Sequence, residues 1–114
     1  MNQEQKNKMN AENWIVKRNG QSFIKFAGLL WLAHQKGLTS LCSSPVFEDW
    51  EKGIFVFRAI AKGEGLHFED EGDAAPYNVN AMIKPHIRRM ASTRAMARVL
   101  RIFNGIGMSS LEEL

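Results

Sequence analysis

In "IFVFRAIAKGEGLHFED", residues 54–70, β-branched and aromatic side chains crowd two short runs separated by Gly63-Glu64-Gly65. That enrichment, with its glycine punctuation, favours two strands and a turn over a helix. Strand alternation places Ile54, Val56, Arg58, Ile60 and Lys62 on one face and Phe55, Phe57, Ala59 and Ala61 on the other. Two cations on an otherwise apolar face stand out. Immediately upstream, "TSLCSSPVFED" (39–49) and the turn "WEKG" (50–53) supply a third strand of the same meander. Pro45 marks that strand as an edge or the site of a bulge, because it cannot donate to a ladder.

Further upstream, "NWIVKR" (13–18), Asn19-Gly20 and "QSFI" (21–24) read as a hairpin, since Asn-Gly takes the positive φ angles of a type I′ turn. "KFAGLLWLAHQKG" (25–37) has apolar residues at 26, 29, 30 and 33, the spacing of a helical face, and Gly37 as its stop. It is apolar nearly all round, so it is expected to pack on more than one side, against the sheet and a neighbouring subunit. Residues 1–12 are polar and are expected to form a flexible N-terminus.

Downstream, the turn-rich "EGDAAPYNVN" (71–80) leads into "KPHIRRMASTRAMARVLRIF" (84–103). Pro85 suits the first helical position, and the helix is expected to end near Asn104-Gly105. "IGMSSLEEL" (106–114) starts another short helix, capped by Ser109 or Ser110. The fold class is therefore α+β: an antiparallel β-meander packed against a long basic C-terminal helix, a β-β-β-α core preceded by a hairpin and a helix, in one domain over residues 13–114.

At 114 residues and 45% apolar composition the chain suits one soluble globular domain. No run approaches the roughly 18 apolar residues of a membrane helix, and no signal-type h-region follows the first lysines, so a cytoplasmic location without membrane partners is expected. The single cysteine, Cys42, cannot form an internal disulfide and is expected to be a buried strand residue. Histidines at 34, 67 and 86 lack metal-ligand spacing, and no G-x-x-x-x-G-K-[ST] motif is present. No catalytic residue, metal, cofactor or small-molecule substrate is therefore expected, and an ATP-driven recombinase is disfavoured.

The formal net charge is only +3, but it is unevenly spread. Residues 84–103 hold Lys84, Arg88, Arg89, Arg94, Arg98 and Arg101 and no acid, whereas acids prevail from Glu48 to Asp73. At about 100° per residue, Met96, Val99, Leu100 and Phe103 share an arc that reads as the core face. Arg94, Arg98 and Arg101 fall roughly opposite, as a stripe extended by Arg88, Arg89 and Lys84. Ala91, Ala95 and Ala97 are small enough to let a backbone, protein or nucleic acid, come close. Arginines on an outer helix face are commonly solvated or paired, and the acidic meander offers partners. Against that, the helix has no acid of its own at i+4, and arginine forks at this pitch suit the phosphates of an extended strand.

The order of elements and the stretch "KPHIRRMASTRAMARVLRIFNGIG" together resemble the core of the single-strand annealing proteins, the superfamily of Rad-fifty-two-like, essential-recombination-function and RecT-like recombinases. There a β-β-β-α unit ends in a helix of the type "K-x-A-x-x-x-A-x-x-R-A-x-R-x-x-G"; Ala91 to Gly107 is similar in spacing, and the resemblance spans about residues 23–107. It implies an ATP-independent, non-enzymatic protein of DNA recombination and repair. Such a protein forms a ring or arc of copies and holds single-stranded DNA in a basic groove between meander and helix, its bases exposed for pairing.

In that picture Arg94, Arg98, Arg101, Arg88, Arg89 and Lys84 bind DNA from the helix and Arg58 and Lys62 form the opposing wall. Arg89, nearer the apolar arc, is the weakest of them. Tyr77 and Trp50 are candidate base-stacking platforms, with loop packing as the plainer account; Trp14 and Trp31 suit a core or a subunit interface. The alternative is a non-catalytic oligomeric interaction scaffold. A metal-dependent nuclease using Glu69, Asp70, Glu71 and Asp73 is disfavoured, because alternation lets at most Glu69 and Glu71 converge. The charge map discriminates: an annealer keeps its arginines unpaired in a continuous groove, a scaffold has them bonded to Glu69–Asp73.

Overall fold

The computed structural model describes residues 1–114. The elements run α1 (Gln3–Ala11), β1 (Ile15–Arg18), β2 (Gln21–Ile24), α2 (Phe26–Gln35), β3 (Leu38–Asp49), β4 (Ile54–Gly63), β5 (Leu66–Ala74) and α3 (Ile87–Asn104). β1 and β2 form the expected hairpin, with φ of 51° at Asn19 and 77° at Gly20. β3, β4 and β5 form an antiparallel meander with β4 in the centre, Ile60 lying opposite Cys42 on one side and Glu69 on the other. A register shift between Pro45 and Phe47 marks a bulge on the edge strand β3.

Alternation sends Phe55, Phe57, Ala59 and Ala61 of β4 toward α3, where they are buried with Ala91, Ala95, Val99, Leu100 and Phe103. α3 presses hardest on β5. A β-carbon added to Gly72 would lie 2.2 Å from the Ala95 nitrogen and 2.8 Å from the Ala91 oxygen. The small residues of α3 therefore admit a protein backbone.

A second side of α3 meets α2, which contributes Leu29, Leu32 and Ala33 to the same core. The Asn104 side chain donates to the Leu29 carbonyl at 2.9 Å, and Lys36 Nζ donates to the Phe103 carbonyl at 2.7 Å. A cation at that carbonyl end complements the helix dipole.

Several expectations are corrected. Residues 3–11, expected to be flexible, form α1: Asn2 and Gln5 make a reciprocal capping box, and Met9, the helix's one fully buried side chain, anchors it to the core. Trp14 and Trp31 pack at a tilt against each other, ring centres 5.9 Å apart, at the margin of that core. β5 continues through "EGDA" to Ala74, beyond the strand read from sequence. Cys42 lies on a strand but is exposed, because its face of the meander carries no covering element. Pro85 sits in a 3-10 turn, Lys84–His86, just ahead of α3, and Gly105 ends the helix in the left-handed conformation. No helix is long and apolar enough to cross a membrane.

The last residues hold the halves together. Ser110 caps a 3-10 turn over Leu111–Glu113 and forms a parallel bridge with Ile24. α2 has no cap from its own Lys25. Instead the Glu112 carboxylate accepts from the Phe26 amide at 2.7 Å, supplying both a cap and the negative charge that a helix N-terminus favours.

Candidate nucleic-acid interface

The start of α3 stands away from β3 and the β3–β4 turn, and the gap is an open groove of about 530 Å³. Its floor is aromatic, from Phe55, Phe57 and Trp50; the other wall carries His86 from the turn ahead of α3 and Arg88, Arg89 and Ser92 from the helix. Trp50 is 70% exposed and rests edge-on against Phe55, ring centres 5.0 Å apart. The Arg88 guanidinium lies 5.0 Å from the centre of the Phe57 ring and 5.8 Å from that of Trp50. Its Nε donates to Glu48 on β3. Arg89 and the neighbouring Lys84 are exposed and make no ion pair. At the inner end the Ser43 and Ser92 hydroxyls bond at 2.6 Å.

The second half of the helix differs. Arg94, expected at the centre of a DNA-binding stripe, is only 4% exposed. Its Nη1 donates to the Asp73 carbonyl at 2.9 Å and to Asn78 Oδ1 at 3.0 Å, and its Nη2 to the Asn78 carbonyl at 2.8 Å. Burial pushes its pKa below the ordinary guanidinium value, an effect opposed by Asp73, reinforced by Arg98 and opposed by Glu113. A guanidinium stays charged through such a shift. Arg94 is therefore a structural residue that fixes the β5–α3 connection. The helical wheel misplaces it because the end of β5 and the 3-10 turn Pro76–Asn78 cover that side of α3 as well, so the buried arc is wider than one face.

Arg98 and Arg101 are partly exposed and lie beside an open groove of about 460 Å³ with Asp70 and Ile102. Both are engaged. Arg98 Nη1 donates to the Glu71 carbonyl at 3.1 Å and lies 3.5 Å from Asp73; its Nε lies 3.5 Å from Glu113. Arg101 Nη1 donates to the same Glu113 carboxylate at 2.9 Å, and its Nη2 to the Gly107 carbonyl at 3.2 Å.

Arg58 and Lys62 do not form a wall opposite α3. They share a face with Ile54, Val56 and Ile60, and that face turns away from the helix; the Phe and Ala face turns toward it. Arg58 pairs there with Glu71 at 2.9 Å, and Lys62 is exposed. Tyr77 is 81% exposed in the 3-10 turn Pro76–Asn78 and lies outside the groove's lining. That turn nevertheless abuts the β3–β4 turn: a β-carbon on Gly53 would be 3.6 Å from Pro76 Cγ. The acids of β5 do not gather into a metal-holding set; Glu71 and Asp73 face Arg58 and Arg98, and Glu69 lies 3.5 Å from His67.

Of three residues that matter here, Glu48 and Glu112 carried no sequence signal beyond their charge. Glu48 reaches Arg88 across 40 positions, Glu112 reaches Phe26 across 86, and Glu113 gathers Arg98 and Arg101. Only Ser110, three residues ahead of a glutamate, had a local signature, that of a capping box. No protein-family model matches this chain, and no curated protein or solved structure matches it.

Proposed function

We propose that the chain holds single-stranded DNA without ATP and that an assembly of its copies, in a ring or arc, anneals complementary strands during recombination or repair. The observation that carries this reading is the groove at the start of α3, where an exposed tryptophan stands beside Arg88 and Arg89, with Lys84 one turn back. An aromatic platform flanked by cations grips a strand by stacking and by phosphate neutralisation, neither of which reads sequence. Bases outside the groove stay free to pair. The binding residues of this proposal are Trp50, Lys84, Arg88 and Arg89, with Tyr77 at the same end of the molecule.

A second reading, the non-catalytic oligomeric scaffold, is favoured by the bonding of Arg94, Arg98 and Arg101 to β5 carbonyls, Asp73 and Glu113. Fluorescence anisotropy of labelled single- and double-stranded oligonucleotides over a salt series separates the two. For the annealer, binding is tight and salt-sensitive, and Lys84→Ala with Arg89→Ala makes the log–log salt slope shallower by roughly 0.7 for each phosphate no longer neutralised. Absence of binding at low salt by the folded parent protein selects the scaffold.

A further inference from the structure

We infer that the groove sorts the two parts of a nucleotide: its exposed Trp50 ring takes one nucleobase, and the phosphates on either side lie on Arg89 and on Lys84 in the turn ahead of α3. This rests on the reading of the groove as a single-strand site and assigns the chemistry inside it.

Glu48 is the deciding residue. Arg88 is the cation closest to the floor, lying against Phe57 and Trp50, but its Nε is already held by the Glu48 carboxylate. A phosphate approaching Arg88 meets that carboxylate as well, so the pair presents almost no net charge to a ligand. A base is planar and uncharged, with polar edges. It can stack on the exposed indole beside the guanidinium, which at 5.8 Å from the ring centre leaves no room for a base between the two, and so Glu48 is not displaced. A volume of about 530 Å³, open on one side, admits a ring system of that size. Arg89, in the groove's lining, has no carboxylate partner, and neither has Lys84, exposed in the turn ahead of α3, so the charge available to phosphate lies away from the floor. Each copy then anchors one base and leaves its neighbours exposed. Sequence tolerance follows, because every base has a π face.

The test compares two labelled single strands of equal length, oligothymidine and a fully abasic strand of the same backbone, by anisotropy. The proteins are the parent, Trp50→Leu and Glu48→Gln. Leucine keeps apolar cover over Phe55 but offers no stacking plane, and circular dichroism checks that each variant is folded. The parent is expected to prefer the base-bearing strand by roughly tenfold. Trp50→Leu should abolish the preference while leaving abasic affinity nearly unchanged. Glu48→Gln should tighten the abasic strand several-fold and steepen its salt slope by about 0.7, the signature of a phosphate newly admitted to Arg88.

Equal binding of both strands by the parent, or a preference that survives Trp50→Leu, overturns the assignment. In either case the single-strand reading stands if Arg89→Ala weakens both strands. Binding of neither strand by the folded parent removes that reading, and the assignment with it.

Discussion

Arg89 and Arg94 belong to the same helix, yet one is exposed with no ion-pair partner and the other is 4% exposed with three hydrogen bonds. The difference lies in what the rest of the chain brings to each. At the start of α3 the facing surface is a bulged edge strand and a turn, which leave a gap floored by aromatic rings. Farther along, β5 comes so close at Gly72 that side chains flanking the contact must bond to its carbonyls or stay unsatisfied. Arginine serves both places because a long apolar stem can lie along packed surface while its head finds either a carbonyl or water. Charge density along a helix therefore says little about which charges face a ligand.

The contrast can be broken by substitution, the largest effect coming where the helix is pressed hardest. Gly72→Ala should cost about 4 kcal/mol in denaturant unfolding, since backbone on both sides of the contact would have to separate. Arg94→Ala should follow at about 3 kcal/mol, leaving the Asp73 and Asn78 carbonyls without their donor. Glu113→Gln should cost about 1.5 kcal/mol, because the carboxylate is nearly buried and shared by Arg98 and Arg101. Arg89→Ala inverts the pattern: unfolding should move by less than about 0.5 kcal/mol, while single-strand affinity falls several-fold at low salt. Arg58→Ala should move stability by no more than about 0.5 kcal/mol, since its partner Glu71 is equally exposed, and should leave binding unchanged. Should Arg98→Ala or Arg101→Ala weaken DNA binding more than it weakens the fold, the division of α3 into a binding half and a structural half fails.

The meander was legible because alternation and glycine turns are local signals, and the end of α3 was legible in Gly105, whereas Pro85 lies in a 3-10 turn ahead of the helix. Which face of β4 meets the helix was not. Both faces carry apolar residues, and only the bulk of Phe55 and Phe57 against that of Arg58 and Lys62 separates them once the helix is in place. Arg94 escaped because a wheel assumes one buried arc, and the 3-10 turn after β5 covers a further side of α3. α1 escaped because its stability comes from a cap and a single anchoring methionine, too sparse for a periodicity to show. In the groove, Arg88 belonged to the sequence-derived set and Trp50 was a candidate, but their approach depends on Glu48, whose partner is 40 residues away. A local reading names such residues singly and cannot join them.

The guanidinium forks on the Glu71 and Asp73 carbonyls have one more consequence. β5 is an outer strand, and over that stretch its outward acceptors are occupied, so another strand cannot dock there. The opposite edge, β3, has no such cover. In the vocabulary of polymerisation the far end of β5 is a capped end: the molecule's own arginines terminate strand addition past Glu71 and Asp73.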